Sequence, residues 1–364
     1  MNFVFISYNY SPGFNNPEDW ITRIKAYKGS LECLSNNHTV TRIEQINYTG
    51  QYFKNGVNYH FTNLGKNHPY FPWRLNRLVK SLKPNVIVIH GTHYPLQVIQ
   101  LRLLLGKGCR IIIQHHAEQP FTGIKKYIQR VAGNCADAYL FASQGLGLDW
   151  VNKGNIASSK KVHEVMEVSS VFYPVDRSLA LSKTGVKGNP VFLWVGRLND
   201  NKDPLNVVSA FLKFAASTSA VLYMIYHTDE LLDDIKQLIK NHPDESAIQL
   251  IGRVPKDDLL YWYNSANFIL SGSHYEGSGT AICEAMSCGC IPIVTDIFSF
   301  RMITDEGKCG LLYEAGNETA LLAALQQTRQ MNVEEKRNRC LEYFKSKLSF
   351  EAIAQQLQDI AASL

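Results

Sequence analysis

The sequence predicts an α/β protein made of two Rossmann-like domains, each a parallel sheet covered by helices. Three observations carry this. The chain has 364 residues, more than one ordinary domain and enough for two that each bury a core. Short apolar runs alternate with longer amphipathic stretches, the pattern of strands buried on both faces and joined by helical crossovers. The alternation lapses once, over residues 177–190, where turn-forming residues gather.

Taken in order, the first half supplies strands at Phe3 to Ser7, Val86 to His90, Arg110 to Gln114 and Ala138 to Ala142. Phe172-Tyr173-Pro174-Val175-Asp176 then leads into a polar segment ending at Gly188-Asn189-Pro190, which reads as an interdomain linker. The second half repeats the pattern with Val191 to Val195, Ala220 to Tyr226, Ile248 to Ile251, Asn267 to Leu270 and Ile291 to Val294. From Glu334 onward the period is helical without Pro or Gly, with Phe344, Leu348, Phe350, Ile353 and Leu357 as its apolar positions. The expected organisation is a first domain over 1–176, a linker over 177–190, a second domain over 191–340 and a helix over 341–364 that crosses back to the first domain.

Composition narrows the class. At 45% hydrophobic and 19% charged residues the chain should fold throughout. No run approaches the roughly 20 apolar residues of a membrane span, and Met1 to Tyr10 reads as a strand without the basic start of an export signal. The expectation is a cytoplasmic protein. Eight cysteines are scattered, and the close group Cys283, Cys288 and Cys290 lacks a second pair at zinc-ligand spacing, so reduced thiols are expected.

Charge is uneven. Residues 1–180 hold 20 Lys plus Arg against 10 Asp plus Glu, while the remainder is net negative. The cations gather at Arg74, Arg77, Lys80 and Lys83 and again at Lys125, Lys126 and Arg130. Such clusters are either solvated helix faces or sites for an anionic partner, and the balance is compatible with docking on the anionic inner face of a membrane. Nucleic acid is not an expected partner, because the cations are not interleaved with stacking aromatics in a known module.

The strongest chemical signal runs from Ser273 to Gly289: an apolar strand, a glycine-rich loop with Glu276, Gly277, Ser278, Gly279 and Thr280, then a short helix carrying Glu284 that Gly289 can close. Glycines let backbone N–H groups approach a ligand, and the donors and dipole at a helix start favour a diphosphate. Glu284, one turn inside, is suited to accept hydrogen bonds from a ribose diol, and Glu276 to meet a sugar hydroxyl.

A second cluster is Val195-Gly196-Arg197-Leu198-Asn199-Asp200-Asn201-Lys202-Asp203-Pro204. Asp203 is expected to N-cap a helix with Pro204 at its first position, leaving Arg197 and Lys202 on the loop after a strand, where doubly wound sheets bind ligands. Two cations there suit a diphosphate.

Together, the strand–Gly-Arg-Leu–Lys segment and the two glutamates eight positions apart, followed by Ala285-Met286 and Cys288-Gly289-Cys290-Ile291-Pro292, resemble the retaining glycosyltransferases of family 4. The resemblance is concentrated between Val191 and Tyr313. It implies the GT-B fold, two Rossmann-like domains facing across a cleft. It also implies that Arg197 and Lys202 hold the donor diphosphate, Glu284 the ribose, and Glu276 the transferred sugar with the N–H groups of Gly277 to Thr280. Val254, beside Arg253, stands where backbone groups of that family meet the base. In the first domain the resemblance points to His115 or His116, with His116 the choice, and to Gly13, although the loop after the first strand departs from the paired glycines of many relatives. His90-Gly91 is a further candidate for the cleft wall.

The implied reaction moves a sugar from a nucleoside diphosphate donor of the UDP or GDP type to a carbohydrate or lipid-linked acceptor, with retention. The sequence lacks an Asp-x-Asp motif, so transfer without a metal or other cofactor is expected. A nicotinamide oxidoreductase is disfavoured, because no Gly-x-Gly-x-x-Gly follows the first strand. A non-catalytic nucleotide-sugar-binding protein, or an epimerase or phosphorylase on the same fold, stays open.

Overall fold

The computed structural model describes residues 1–64 and 70–364. It divides into two units, Met1–Ser169 with Phe350–Leu364, and Ser170–Ser349.

The first unit runs β1 (Asn2–Ser11), α1 (Pro17–Arg23), α2 (Lys25–Ser35), β2 (Thr39–Ile46), β3 (Gly50–Lys54), β4 (Val57–Thr62), α3 (Trp73–Ser81), β5 (Val86–His90), α4 (Pro95–Leu105), β6 (Arg110–Gln114), α5 (Gly123–Cys135), β7 (Ala138–Phe141), α6 (Gln144–Asn152) and β8 (Val162–Glu164). Its sheet has the order β3-β4-β2-β1-β5-β6-β7-β8. All neighbours are parallel except β3 and β4. These two form a hairpin through Asn55 and Gly56, both at positive φ (49° and 79°), the geometry that an Asn-Gly turn supplies. Strand β2 escapes recognition from sequence because Arg42, Glu44 and Gln45, which break its apolar run, are themselves buried.

The second unit runs α7 (Arg177–Thr184), β9 (Val191–Gly196), α8 (Pro204–Ala215), β10 (Val221–Tyr226), α9 (Leu232–Ile239), β11 (Ile248–Gly252), α10 (Leu259–Ser265), β12 (Phe268–Ser271), α11 (Thr280–Ser287), β13 (Ile291–Thr295), α12 (Phe298–Ile303), β14 (Leu311–Tyr313), α13 (Glu318–Gln327) and α14 (Val333–Tyr343). The six strands are parallel in the order β11-β10-β9-β12-β13-β14. Trp194, Phe192, Phe211 and Phe268 are buried about the central strands, with the Phe192 and Phe268 rings stacked 5.0 Å apart.

Two expectations are corrected. Residues 177–184, assigned to a linker, form α7, which Asp176 caps through a bond from the Leu179 N–H and Gly185 ends in the left-handed region. The terminal helix does not begin at 341. A π-helical turn over Phe344–Leu348 and an extended Ser349 intervene, and α15 (Phe350–Ser363) follows. This helix groups with the first unit, where Phe350 covers Gly29 of α2 so closely that a Cβ on Gly29 would fall 2.5 Å from its ring, and Gln358 meets His38 at 2.9 Å.

All eight cysteines are free, and Cys109, Cys283, Cys288, Cys290, Cys309 and Cys340 are buried. Burial pushes the Cys109 thiol up to about 11 and the Cys288 thiol up to about 12. No helix among the described residues is long and apolar enough to cross a membrane.

Candidate functional site

In the second unit Arg197 and Lys202 follow β9, and Glu276 with the glycine-rich loop follows the neighbouring β12. Arg197 lies immediately after β9 and is exposed. Lys202 ends a short 3-10 turn in which the Asn199 side chain accepts from the Lys202 N–H. Asn201 ties this turn to the glycine-rich loop: its Oδ1 accepts from the Tyr275 N–H at 3.1 Å and its Nδ2 donates to the Tyr275 carbonyl at 3.0 Å. Lys202 Nζ is thereby brought onto Glu276 Oε1 as an ion pair in which both side chains are largely shielded, at 22% and 15% exposure.

Asp203 departs from expectation. Helix α8 does start at Pro204, but Asp203 sits in the left-handed region (φ 45°, ψ 53°), caps nothing with its side chain, and faces His274 at 3.3 Å. Its twist turns the chain from the lysine into the helix.

Helix α11 is built as its sequence implies. Gly279 precedes it at φ 59° without a side-chain cap, and a Cβ there would fall 2.8 Å from Phe300. At the far end Gly289 (φ 78°) closes a Schellman motif: the Cys290 N–H donates to Ala285 O and the Gly289 N–H to Met286 O, both at 2.9 Å. The loop before the helix is held by Ser299, whose hydroxyl donates to the carbonyls of Glu276 and Gly277. Glu284 is 7% exposed and accepts a 3.0 Å bond from the buried Tyr263 hydroxyl. Burial and the neighbouring Glu284 push the Tyr263 phenol well above its ordinary value, so it remains a donor. Val254 and Arg253 follow β11 after Gly252, itself at φ 77°.

The first unit holds a separate constellation. A cleft of ≈ 440 Å³ is lined by aromatic and polar groups, among them Trp20, Arg42, Glu44, His90, His116 and Glu118. His116 thus lines a cavity. His115 does not: it is buried, stacked on Phe141 at 4.6 Å, with Nε2 against the Glu118 carbonyl at 3.0 Å. Gly91, next to His90, has φ 100° and a Cβ there would approach Tyr94 at 2.8 Å, so glycine is required. Gly13 differs: it is exposed, and a Cβ would meet nothing within 4 Å.

Sequence reasoning missed the groups that surround the two histidines. Arg42 pairs with Glu44 at 2.6 Å and places NH1 2.6 Å from His90 Nε2. His90 Nδ1 is 2.8 Å from His116 Nε2, and His116 Nδ1 meets Glu167. Because a guanidinium only donates, the bonds run one way: Arg42 to His90, His90 Nδ1–H to His116, His116 Nδ1–H to the Glu167 carboxylate. Glu118 accepts from the His116 and Thr92 N–H groups at 2.7 and 3.2 Å. Burial, with Arg42 and His116 adding to it, drives the His90 pKa well below the ordinary imidazole value. His116 is also buried, but Glu167 and Glu118 outweigh that and hold it above. Among the described residues no three His, Cys, Asp or Glu side chains are placed to share a metal ion.

Comparison with known families bears on the second unit. Residues 178–347 match the family Glycosyl transferases group 1. Within this group 1 region lie Arg197, Lys202, Glu276 and Glu284. The O-antigen chain mannosyltransferase B of Escherichia coli is 28% identical over 140 residues, which are 38% of this chain and 36% of that protein. The phosphatidylinositol N-acetylglucosaminyltransferase GPI3 subunit of Saccharomyces cerevisiae is 25% identical over 130 residues, 36% of this chain and 29% of that one. The aligned segments thus span about a third of these relatives. Solved structures extend the likeness to the whole chain. The Anabaena protein HepE in complex with UDP aligns at TM-score 0.74 and 14% identity over 100% of both chains. A glycosyltransferase from Rickettsia africae gives 0.74 and 16% over 100% and 98%, and the sucrose-phosphate synthase of Thermosynechococcus elongatus 0.70 and 15% over 100% and 99%. Beside the group 1 region, the whole chain therefore has the GT-B fold.

Proposed function

We propose that the chain is a retaining glycosyltransferase of family 4 that moves a sugar from a nucleoside diphosphate sugar to a carbohydrate or lipid-linked acceptor, as in cell-surface polysaccharide synthesis. The observation that carries the reading is the meeting of Lys202 with Glu276 beside the glycine-rich start of α11, with Glu284 held one turn inside by Tyr263. The activities of the relatives, a mannosyltransferase and an N-acetylglucosaminyltransferase subunit, and the UDP in HepE support a nucleotide-sugar donor.

In this reading the leaving diphosphate gathers negative charge as the bond from the anomeric carbon to phosphate oxygen breaks. Arg197, Lys202 and the N–H groups of Gly277, Ser278, Gly279 and Thr280 stabilise that charge. Glu284 accepts from the ribose hydroxyls, the backbone at Arg253 and Val254 meets the base, and Glu276 orients the sugar. The acceptor hydroxyl attacks from the face that the phosphate leaves, and its proton passes to the departing phosphate oxygen, so configuration is retained. His116 and Gly13 belong to the acceptor-side domain, where His116 would contact the sugar. Neither a metal nor another cofactor is required.

A thermal-shift screen with UDP, GDP, ADP, CMP and NAD tests the donor class, because a ligand that binds only the native state raises its apparent stability. One nucleoside diphosphate should stabilise the wild type and lose its effect in Glu284→Ala and Arg197→Ala. Stabilisation by NAD alone would overturn the reading. Product anomer analysis tests retention, and activity that vanishes in chelator and returns with Mg²⁺ or Mn²⁺ would refute metal independence.

A further inference from the structure

Helix α5 is turned inside out. Ile124, Tyr127, Ile128 and Val131 follow the i, i+3, i+4, i+7 spacing that ordinarily marks the face turned to a core. Here they are 80%, 65%, 38% and 56% exposed, and the buried side carries Gln129, Ala132 and Gly133 instead. That buried side is committed. Gln129 donates to Thr92 O at 2.9 Å and accepts from the Phe121 N–H at 3.2 Å and from Asn155 Nδ2 at 2.7 Å, so the helix cannot roll over.

A second exposed apolar segment lies on the same surface. Tyr70, Phe71 and Trp73, at the start of α3, are 65%, 72% and 54% exposed. Tyr70 lines a groove of ≈ 290 Å³ together with Phe121, Lys125 and Ile128 of the α5 region. Cations accompany both segments: Arg74, Arg77, Lys80 and Lys83 in one, Lys125, Lys126 and Arg130 in the other, and residues 70–84 and 121–134 contain no Asp or Glu. Among the described residues, none of the seven forms an ion pair.

We propose that this face, the outer stripe of α5 with Tyr70 to Trp73, docks on the anionic surface of a lipid bilayer. Tyr and Trp suit the boundary between headgroup and acyl chain, and Ile124 and Ile128 gain by leaving water there. The cations lie where anionic headgroups attract them. A second copy of the chain fits less well, because an isologous contact would set seven cations against the same seven. The inference deepens the proposed function, since it brings the enzyme to a lipid-linked acceptor, but its test is independent of catalysis.

The experiment is flotation of the full chain with vesicles of phosphatidylcholine alone and of phosphatidylcholine with phosphatidylglycerol, at low and high salt, alongside light scattering of the protein without lipid. Two variants accompany the wild type: Lys125→Gln/Lys126→Gln/Arg130→Gln, and Ile124→Ser/Tyr127→Ser/Ile128→Ser. Five of these six positions are exposed and Lys126 is half-buried beside Gly154, so circular dichroism melts check that folding is kept. The wild type should float with anionic vesicles only and release at high salt. Each charge removed should weaken binding about fivefold, and the apolar variant should release at low salt. Wild type that stays at the bottom with anionic vesicles at low salt, or binding unchanged in both variants, overturns the proposal. So does a dimer that the apolar variant dissociates, which would assign the face to a second copy. A failed nucleotide screen would leave a positive flotation result standing.

Discussion

His90 Nδ1 lies 2.8 Å from His116 Nε2, with Arg42 closing the far side of His90 at 2.6 Å. The two imidazoles form one directed chain from a guanidinium to the Glu167 carboxylate. Adding a proton at His116 Nε2 sets two N–H groups against each other, so protonation must turn one ring. In a nitrogen-detected NMR titration, His116 should appear as the Nδ1–H tautomer at alkaline pH and protonate above the ordinary value. His90 should stay neutral while its shifts follow the His116 titration. Independent titration of the two rings would refute the chain.

The same pair gives two opposite pH dependences of stability. His116 has a folded pKa above 6.5, so its contribution is fully present below that pH and is lost as pH rises through the folded value. Removing it by His116→Phe should cost most in acid. His90 has a folded pKa well below 6.5, so its contribution is present above that pH and fades as pH falls toward the folded value. His90→Phe should cost most in base. Thermal melts across neutral pH, compared with wild type, read both.

Lys202 and Glu276 neutralise each other in the structure. Lys202→Met should lower kcat/KM by about 10² to 10³-fold if the ammonium stabilises the leaving diphosphate, the magnitude typical of one lost oxyanion donor. Glu276→Gln keeps the shape and frees the lysine, so it should retain nucleotide binding while losing turnover. Equal loss of binding in both variants would make the pair a structural clamp.

Tyr263→Phe removes the 3.0 Å hydrogen bond that the phenol donates to the buried Glu284 carboxylate. The expected costs are about 1–3 kcal/mol of stability, and nucleotide binding weaker by about tenfold, for one hydrogen bond to a charged group. Calorimetric titration with the nucleotide that the screen selects measures the second effect.

Gly279→Ala and Gly13→Ala should separate. The first places a Cβ on φ 59° backbone 2.8 Å from Phe300, so a destabilisation of about 1–3 kcal/mol is expected. The second meets nothing within 4 Å and should change stability by about 0.5 kcal/mol or less. Unchanged melting of Gly279→Ala would show that the loop does not need its left-handed turn.

The second unit was legible because its physics is local. A strand, a glycine loop, a helix and a Schellman end lie within the Phe268–Gly289 stretch, and each signature sits next to the one it depends on. The first unit was not. The buried Arg42 and Glu44 make β2 look like a surface segment, and their partner His90 is 48 positions away from Arg42. The Asn55-Gly56 hairpin is an exception there, since two adjacent residues carry its turn signal. Asp203 has the composition of a cap and the backbone of a turn, a difference that composition does not encode. Tyr263 carries no motif, and only the fold sets it beside Glu284, 21 positions on.

The buried cysteines give each unit its own clock. A thiol pushed up to about 11 at Cys109, or about 12 at Cys288, is almost wholly protonated at neutral pH and shielded from reagents, so it reacts when its surroundings open. Cys109 belongs to the first unit and Cys288 to the second. Alkylation rates followed peptide by peptide would therefore time the opening of the two halves separately within one molecule. A nucleotide that slows the Cys288 clock and leaves the Cys109 clock running would show which half it holds shut.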